Sequence, residues 1–302
     1  MTAIHHKRAE LTDISLHYAE CGAENDELVL MLHGFPEFWY CWKDQLPVVG
    51  EKYHAVAPDM RGYNLSDKPE GVKAYRIGPL VRDMIELADH FGKESFYLVA
   101  HDWGAAIAYA VAIAHPERIK GLMILNGAHP YIFADLLSNN DEQIANSQYM
   151  AYFRNPNAEA EMLANNGQWL LDWTFREIIE RGLMTEEDAD AYRAAWAQPG
   201  AMTAMVNYYR ASPLVPATKE TKGKGFGLNP EDFKVHVPTF VLWGEADHAL
   251  IKENLVGLEN FIDDLTIKRL PGITHWVTHE APEIVSAEIL AFIDRIRPEK
   301  AS

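Results

Sequence analysis

Cysteine is scarce in this sequence, in which Cys21 and Cys41 are the only two thiols among 302 residues. Two cysteines are too few for a framework of several disulfides or for a four-cysteine zinc site. Long apolar runs are missing too: the longest, residues 105–114, falls well short of the roughly 20 residues that cross a bilayer. The first residues contain no apolar segment typical of a secretory signal. We therefore expect a cytoplasmic protein that does not span a membrane.

Positive charge is in short supply, because 27 lysines and arginines face 44 aspartates and glutamates, for a formal net charge of −17. Such a protein repels phosphate, which argues against nucleic acids and other acidic polymers as partners. Internal repeats and low-complexity tracts are also missing. Since 48% of the residues are hydrophobic, the chain can fill a core and is not disordered. A small neutral substrate fits this composition better than a charged polymer.

Short apolar runs alternate with longer helical patterns along most of the chain. Runs typical of strands covered on both faces occupy residues 28–32, 96–100, 122–125 and 239–243. An alternating run at residues 14–18 predicts an exposed edge strand. Helical patterns occupy residues 80–91, 105–114 and 282–296. This order predicts an α/β fold with a mainly parallel central sheet flanked by helices on both faces.

Residues 129–222 break this alternation, because helical patterns continue there without a strand of comparable strength. A stretch of linker-like composition follows at residues 219–227, and strand–helix alternation resumes at Val237. We expect residues 129–222 to form a helical cap domain inserted into a core domain made of residues 1–128 and 223–302. Ligands of open α/β sheets bind beyond the carboxyl ends of the strands, where such a cap buries the site.

The sharpest local signal is VAHDWG at residues 99–104, between an apolar strand and an alanine-rich helix. In a nucleophile elbow, the residues two positions before and two positions after the nucleophile are small. Here these are Ala100 and Gly104, and Asp102 stands where serine is usual. A carboxylate is ionised at neutral pH, so it needs no base to attack a carbon that bears a leaving group and form an ester. The alternative for Asp102 is a helix N-cap, a position that aspartate favours.

Five further motifs lie before and after the elbow: HGFPE at residues 33–37, DMRGY at 59–63, LNGAHP at 125–130, WGEAD at 243–247 and GITHW at 272–276. From about residue 10 to 296 the chain thereby resembles the epoxide hydrolases of the α/β-hydrolase fold, which are related to haloalkane and fluoroacetate dehalogenases. Two departures, Ala100 for the first small glycine of the elbow and Asn64 after RGY, leave this interpretation intact. Alanine is still small, and asparagine tolerates left-handed backbone.

An aspartyl ester is hydrolysed by water, which requires a general base with a pKa near 7, and histidine provides one. The resemblance implies that this base is His275, in the loop before the last helix, and that Asp247 is the acid that orients it. His101 adjoins the nucleophile but is expected to point away from the cleft. Weaker alternatives are His129, His248 and His279 for the base and Glu245 for the acid. Some related dehalogenases place the acid where this chain has Asn126, which cannot bear the charge.

Ester hydrolysis also creates an oxyanion, which this fold stabilises with two backbone amides. By position these amides belong to Phe35 and Trp103, and the resemblance also implies a cis peptide bond between Phe35 and Pro36. No metal and no organic cofactor is expected, because the mechanism needs none and no credible ligand set is visible.

Two tyrosines of the helical insertion distinguish an epoxide from a halide as substrate. An opening epoxide produces an alkoxide, to which a phenol can donate a hydrogen bond or a proton. The resemblance assigns these phenols to Tyr149 and Tyr209, with Tyr152 and Tyr208 as the alternatives and ordinary packing as the competing interpretation. We therefore expect hydrolysis of a small apolar epoxide by water to a vicinal diol, through a covalent ester on Asp102.

Other functions stay open at this point. A haloalkane or haloacetate dehalogenase uses the same aspartate nucleophile, although haloalkane dehalogenases commonly carry asparagine where this chain has Phe35. Fluoroacetate dehalogenases carry arginines just after the nucleophile, where this chain has Trp103 and Ala106. A non-catalytic receptor of this fold generally lacks one member of the triad, and a serine esterase needs a serine at the elbow. The substrate, its stereochemistry and the oligomeric state, monomer or homodimer, are not determined by the sequence.

Overall fold

An eight-stranded sheet forms the centre of the molecule, in a computed structural model that describes residues 2–297. The strands are β1 (His5–Glu10), β2 (Ser15–Cys21), β3 (Leu28–Leu32), β4 (His54–Pro58), β5 (Phe96–His101), β6 (Ile119–Leu125), β7 (Thr239–Gly244) and β8 (Leu265–Leu270). Their order across the sheet is β1-β2-β4-β3-β5-β6-β7-β8. The pairings of β2 with β1 and β4 are antiparallel, and those from β4–β3 to β7–β8 are parallel. The predicted α/β fold with a mainly parallel sheet is confirmed.

Helices surround this sheet and fill the long connection between β6 and β7. They are α1 (Gln45–Val49), α2 (Ile77–His90), α3 (Trp103–Ala114), α4 (Pro130–Asn139), α5 (Asp141–Asn146), α6 (Gln148–Tyr152), α7 (Ala158–Glu180), α8 (Glu186–Trp196), α9 (Ala201–Ala211), α10 (Val277–Glu280) and α11 (Pro282–Ile296). Short 3₁₀ helices lie at Trp39–Trp42, Val72–Tyr75, Pro116–Arg118, Pro230–Phe233, Lys252–Leu255 and Leu258–Asn260.

Helices cover the central strands of the sheet on both faces. Because successive side chains of a strand point to opposite sides, each of these strands contributes to two hydrophobic cores. In β3, Leu28, Leu30 and Leu32 belong to the hydrophobic core shared with α2 and α3. Val29 and Met31 belong to the second core, which α1 and α11 close from the other side. The continuous apolar runs of the sequence are strands covered on both faces, and all four predicted runs lie in strands.

The predicted edge strand at residues 14–18 is wrong in its position within the sheet. The observed strand β2 is buried along its whole length between β1 and β4. Its alternation comes from polar side chains that are buried and hydrogen-bonded: His17 contacts Asp59 with 2.6 Å between Nδ1 and Oδ2, and Glu20 contacts His54 at 2.8 Å. The edge is β1, whose sequence HHKRAE is mostly polar and exposed, so no apolar pattern marks it as a strand.

Between β6 and β7, all of whose residues are described, the chain forms the six helices α4 to α9 and no strand. The helical character predicted for this region is therefore present. Three hydroxyl or indole groups from it bind backbone or carboxylate oxygens around the sheet: Tyr192 donates to Glu37, Trp196 to the Pro36 carbonyl and Tyr208 to the Arg61 carbonyl. These bonds hold the inserted helices over the loops that follow β3 and β4.

Within residues 2–297, no helix combines the length and the apolar character needed to cross a membrane. In the same part of the chain, no three side chains among His, Cys, Asp and Glu converge as a metal site. Cys21 and Cys41 are both buried and unbridged.

Close packing of α3 against the end of β6 depends on a glycine. A Cβ at Gly127 would lie 2.1 Å from the Cβ of Ala105 in α3, and neither atom can rotate away. We expect Gly127→Ala to lower the free energy of unfolding by about 1–3 kcal/mol, the usual cost of overpacking a core. The measurement is denaturant or thermal unfolding.

The matched control for this prediction is Gly78→Ala at the exposed start of α2, where an added Cβ meets no atom within 4 Å. Its effect on the unfolding free energy should be much smaller. Equal stability of the Gly127→Ala variant and the wild type would show that α3 and the end of β6 move apart more easily than their packing indicates.

Candidate active site

Asp102 lies in a strained turn between β5 and α3. Its backbone has φ 49° and ψ −117°, a region that non-glycine residues rarely adopt. Two glycines allow neighbouring backbone to pass this close: a Cβ at Gly34 would lie 2.3 Å from the Asp102 Cβ, and one at Gly104 would lie 2.5 Å from the Leu32 carbonyl oxygen. The turn therefore presents the Asp102 side chain beyond the carboxyl ends of the strands.

The Asp102 carboxylate does not cap α3, since its side chain makes no capping hydrogen bond. Instead, its Oδ1 accepts a hydrogen bond from the Phe35 amide at 2.7 Å. Its Oδ2 lies 3.6 Å from Nε2 of His275. About 15% of the Asp102 side chain is exposed, so the carboxylate is held in place without being completely enclosed. The alternative assignment as a helix N-cap does not describe this arrangement.

His275 lies between two carboxylates. Its Nδ1 is 2.7 Å from Oδ2 of Asp247, while its Nε2 faces Asp102. Oδ1 of Asp247 accepts hydrogen bonds from the amides of Ala249 and Leu250 at 2.7 and 2.8 Å. All three side chains are on loops that follow strands at the same edge of the sheet, which explains how residues far apart in sequence meet.

Asn126 is a member of this site that sequence reasoning set aside. Its side-chain amide donates to Oδ2 of Asp247 at 2.8 Å and to the Gly244 carbonyl at 3.1 Å, and its own oxygen accepts from the Gly244 amide at 2.7 Å. It therefore ties the acid to the end of β7. The sequence signal for this role is its position directly after β6, because a polar side chain at the carboxyl end of a strand can hydrogen-bond to the neighbouring strand and its loop.

The charges of the three groups stabilise one another. Burial lowers the pKa of the His275 imidazole, but the Asp247 and Asp102 carboxylates raise it more, to about 10. Burial raises the pKa of the Asp102 carboxyl, and its contact with His275 outweighs this, so that pKa lies below the usual range. The pKa of Asp247 is lowered in the same way by His275, with help from its hydrogen bonds. These shifts favour the ionised forms of all three groups, with the His275 imidazole between two carboxylates.

Tyr149 of α6 and Tyr209 of α9 come together beside this group, with their ring centroids 5.9 Å apart. The Tyr209 ring also packs edge-on against Phe35 and Trp103, at 5.1 and 5.3 Å. Burial, with a contribution from the negative charge of Asp102, raises the pKa of both phenols above the usual value. Both tyrosines are therefore protonated at neutral pH and can act as donors.

The alternative residues named from the sequence are engaged elsewhere. Tyr152 donates to Glu161 at 2.6 Å, and Tyr208 donates to the Arg61 carbonyl at 2.8 Å. His279 contacts Glu37 and His129 contacts the Phe233 carbonyl, at 2.7 and 3.0 Å. His248 is exposed at the cleft, and Glu245 pairs with Arg269 at 3.3 Å.

A second buried network, absent from the sequence-based assignment, holds the backbone of His275. The Nε2 of His101 lies 2.9 Å from the His275 carbonyl oxygen, and its Nδ1 lies 3.1 Å from a Glu37 carboxylate oxygen. Glu37 is fully buried, and its other oxygen accepts from Tyr192 of α8 and contacts His279. As expected, the His101 side chain is directed away from the cleft, and it positions the loop that carries His275.

A cleft of about 800 Å³ leads from the surface to His275 and Tyr149. Residues from α5, α6, α7 and the loops after β7 and β8 line it: Asn146, Tyr149, Trp169, Asp172, Trp173, Thr174, Arg176, Glu177, Glu180, His248, Ala249, Thr274, His275 and Trp276. Two other large aromatic residues of the inserted helices lie outside this cleft: Tyr131 lines a different depression, and Trp196 is buried against the Pro36 carbonyl.

Comparison with known proteins supports one family. A family model described as the alpha/beta hydrolase fold matches residues 27–282. The AB hydrolase superfamily protein YfhM of Bacillus subtilis (strain 168) is 37% identical over 281 residues, which are 93% of this chain and 94% of that protein. Epoxide hydrolase 1 of Caenorhabditis elegans is 33% identical over 291 residues, which are 95% of this chain and 69% of that protein.

A solved structure agrees with these relatives. The crystal structure of Bacillus megaterium epoxide hydrolase in complex with an inhibitor matches with a TM-score of 0.88 and 33% identity, covering 95% of this chain and 100% of that one. This chain belongs to the epoxide hydrolase family. It is a hydrolase with the α/β-hydrolase fold.

The loop after β3 in this epoxide hydrolase family member has the predicted cis peptide bond between Phe35 and Pro36. Three groups of the loop face three parts of the site: the Phe35 amide contacts Asp102, the Pro36 carbonyl accepts from Trp196, and Glu37 contacts His101. One short segment therefore connects Asp102, the inserted helices and the loop that carries His275.

The raised pKa of His275 depends on the charge of Asp102, which a neutral amide removes. We expect Asp102→Asn to lower the His275 pKa from about 10 toward its ordinary value, leaving Asp247 to raise it alone. The measurement is an NMR titration of the imidazole resonances.

A control for that titration is Asp26→Asn in the exposed loop before β3, at the opposite edge of the sheet from the site. It should leave the His275 pKa unchanged. An Asp102→Asn titration identical to the wild type would show that the two side chains do not interact.

The pH dependence of the unfolding free energy gives a second readout. Because the pKa of His275 is higher in the folded protein than the ordinary value of 6.5, protonated His275 stabilises the wild type fully below pH 6.5. This contribution is lost as the pH rises through about 10.

Proposed function

We propose that this protein hydrolyses an epoxide to a vicinal diol through a covalent ester on Asp102. The observation that carries the proposal is the Asp102 carboxylate itself, held by the Phe35 amide at 2.7 Å and facing Nε2 of His275 at 3.6 Å. Two protonated phenols, Tyr149 and Tyr209, lie close enough to Asp102 for its charge to affect their pKa. A carboxylate nucleophile, an ionisable base and two neutral acids are the groups that opening and hydrolysis of an epoxide require.

In the first step an Asp102 oxygen attacks one carbon of the oxirane, and the bond between that carbon and the epoxide oxygen breaks. Tyr149 and Tyr209 hydrogen-bond to the oxygen, and one phenol gives it a proton as the charge develops. The product is a hydroxyalkyl ester of Asp102. The proton that the phenol gives up is replaced by the proton of the His275 imidazolium, so that phenol, ester and imidazole are all neutral after this step.

Ester formation itself prepares the base for the second step. The ester carries no charge, so one of the two carboxylates that raise the His275 pKa has disappeared and the neutral imidazole is stabilised. Asp247 keeps that ring oriented through its 2.7 Å contact with Nδ1. His275 then takes a proton from a water molecule that attacks the carboxyl carbon of Asp102, the ester bond breaks, and the diol leaves with the second proton.

The attack of water places a negative charge on an Asp102 oxygen. The Phe35 amide already donates to Oδ1 of that group, which supports it as one oxyanion donor. Trp103 is the first residue of α3, and the amides of a first helical turn have no acceptor within the helix. Its amide is the second donor that we propose.

The inserted helices complete the site from above the sheet. Tyr149 and Tyr209 come from these helices, whereas Asp102, Asp247 and His275 come from loops of the sheet. We therefore divide the chain as the sequence suggests, into a lid domain at residues 129–222 and a core domain made of residues 1–128 and 223–302. The lid supplies the acid for ring opening, and the core supplies the nucleophile and the base.

Loss of the base should stop the reaction after its first step. We expect His275→Gln, incubated with styrene oxide, to accumulate an ester on Asp102, because the nucleophile remains and no group deprotonates water. Intact-protein mass spectrometry should show the mass of the protein plus one substrate. Peptide mapping should locate it at Asp102.

Wild-type enzyme in ¹⁸O-labelled water provides the complementary measurement, since a single turnover should leave ¹⁸O in the Asp102 carboxylate. Unlabelled aspartate after turnover would show direct attack of water on the epoxide.

Parallel assays with styrene oxide, short haloalkanes and fluoroacetate distinguish the two leaving groups. We expect diol from the epoxide and no halide from the other substrates. Halide release without diol formation would identify a dehalogenase instead.

The two phenols should act on ring opening alone. We expect Tyr149→Phe combined with Tyr209→Phe to lower kcat/KM for styrene oxide by about 100-fold or more, the usual contribution of general acid catalysis. Single-turnover kinetics should place the loss in ester formation rather than in ester hydrolysis.

Tyr152→Phe is the matched control, because it removes a neighbouring phenol on the same helix whose hydroxyl donates to Glu161. Its single-turnover rate should stay close to that of the wild type. A double variant that opens the epoxide at the wild-type rate would remove Tyr149 and Tyr209 from the mechanism.

A further inference from the structure

Two tryptophans of α7 lie side by side on the surface of the cleft. The rings of Trp169 and Trp173 are parallel to within 3°, with centroids 6.0 Å apart, and they are 41% and 42% exposed. Both line the cleft that leads to His275. Apolar surface left exposed at the mouth of a cleft is typical of a binding site, because its burial by a ligand is favourable.

From these tryptophans, aromatic rings continue to the proposed acids. The Trp173 ring lies 5.6 Å from Tyr149, and Tyr149 lies 5.9 Å from Tyr209. Phe153 packs against Trp173 and Tyr209, at 5.5 and 4.9 Å. Contacting aromatic rings therefore connect the tryptophan pair to the phenols, and Tyr149 lines the same cleft as both tryptophans.

The backbone of α7 fixes the direction of this pair. The helix is interrupted just before Trp169 by three consecutive left-handed residues, Asn165, Asn166 and Gly167. A Cβ at Gly167 would lie 3.2 Å from the ring of the buried Trp196, so the interruption is seated against the inserted helices. The second half of α7 starts from this point with Trp169 and Trp173 four residues apart, on one face of the helix.

Charged groups of the same helix restrict what enters. Asp172, Glu177 and Glu180 line the cleft together with one cation, Arg176, and the exposed His248. The chain as a whole carries a formal net charge of −17. A substrate with a carboxylate therefore meets an excess of like charge at the mouth, whereas an uncharged substrate does not.

We propose that the Trp169–Trp173 pair receives a flat, uncharged aromatic group of the substrate, so that the enzyme prefers aryl epoxides to saturated and to carboxylate-bearing ones. The inference rests on the proposed epoxide hydrolysis. Flat rings gain from offset or edge-on contact with indole beyond the area they bury, and a saturated ring of similar size does not.

Phenyl glycidyl ether and cyclohexyl glycidyl ether test the aromatic preference, because they share one oxirane and differ in the flatness of the distant ring. We expect wild-type kcat/KM to favour the phenyl compound, and Trp169→Ala and Trp173→Ala to reduce this preference about three- to tenfold, mainly through KM. Trp173→Phe should retain most of it.

Leu163→Ala is the control, because this leucine of α7 is similarly exposed at 38% and does not line the cleft. It should leave the phenyl-to-cyclohexyl ratio unchanged. The inhibition constants of the two corresponding diols provide an independent readout of binding and should show the same preference in the wild type and the same loss in the tryptophan variants.

The charge preference is tested with 4-(glycidyloxy)benzoate and its methyl ester. We expect a higher kcat/KM for the ester, and the difference should narrow at 0.5 M NaCl and in the Glu177→Gln/Glu180→Gln variant. Glu187→Gln, an exposed position of α8 outside the cleft, should leave it unchanged.

The outcomes separate this inference from the proposed function. The inference is wrong if the wild type hydrolyses the cyclohexyl compound as efficiently as the phenyl compound. It is also wrong if the phenyl preference survives in both tryptophan variants. Either result would leave epoxide hydrolysis intact. A wild type that hydrolyses none of the four glycidyl ethers would overturn the proposed function itself.

Discussion

An imidazole between two carboxylates organises the site of this protein. Burying any of these charges alone costs several kcal/mol, and each is tolerated because the others and their hydrogen bonds compensate it. His275 contacts Asp247 directly and faces Asp102, while two backbone amides and Asn126 satisfy the remaining acceptors of Asp247. Any chemistry that neutralises one carboxylate must therefore change the proton affinity of the imidazole. In the proposed reaction this links the attack by Asp102 to the later action of His275 as a base.

This electrostatic group is held by a network that reaches from the sheet into the inserted helices. In the loop after β3, the Phe35 amide contacts Asp102, the Pro36 carbonyl contacts Trp196 and the Glu37 carboxylate contacts His101 and Tyr192. The inserted helices, Asp102 and the loop that carries His275 are thus joined through one segment. Because the buried acceptors of Glu37 have partners from three separate segments, the network keeps a single arrangement.

The inserted helices carry the aromatic side chains next to that group. These rings contact one another from the exposed Trp169 and Trp173 through Tyr149 to the buried Tyr209, so the proposed recognition and proton donation depend on one packed cluster. Asp172, Glu177 and Glu180 of α7 line the same cleft, so the charge preference that we propose is independent of ring contacts. In the proposed reaction the sheet loops supply the nucleophile and the base, whereas the helical insertion supplies both the acids and the rings that contact the distant part of the substrate.

Local sequence alone determined the buried strands and the elbow, because apolar runs and small residues around Asp102 are constraints within a few residues. Polar strands such as β1 have no such signal, so the edge of the sheet was misplaced. Only the tertiary structure decided which polar groups meet: Asn126 with Asp247, and Glu37 with His101 and Tyr192. Hydrogen bonds between residues far apart in the chain leave no periodicity in it, and they form only after the strands have brought their carboxyl ends to one edge.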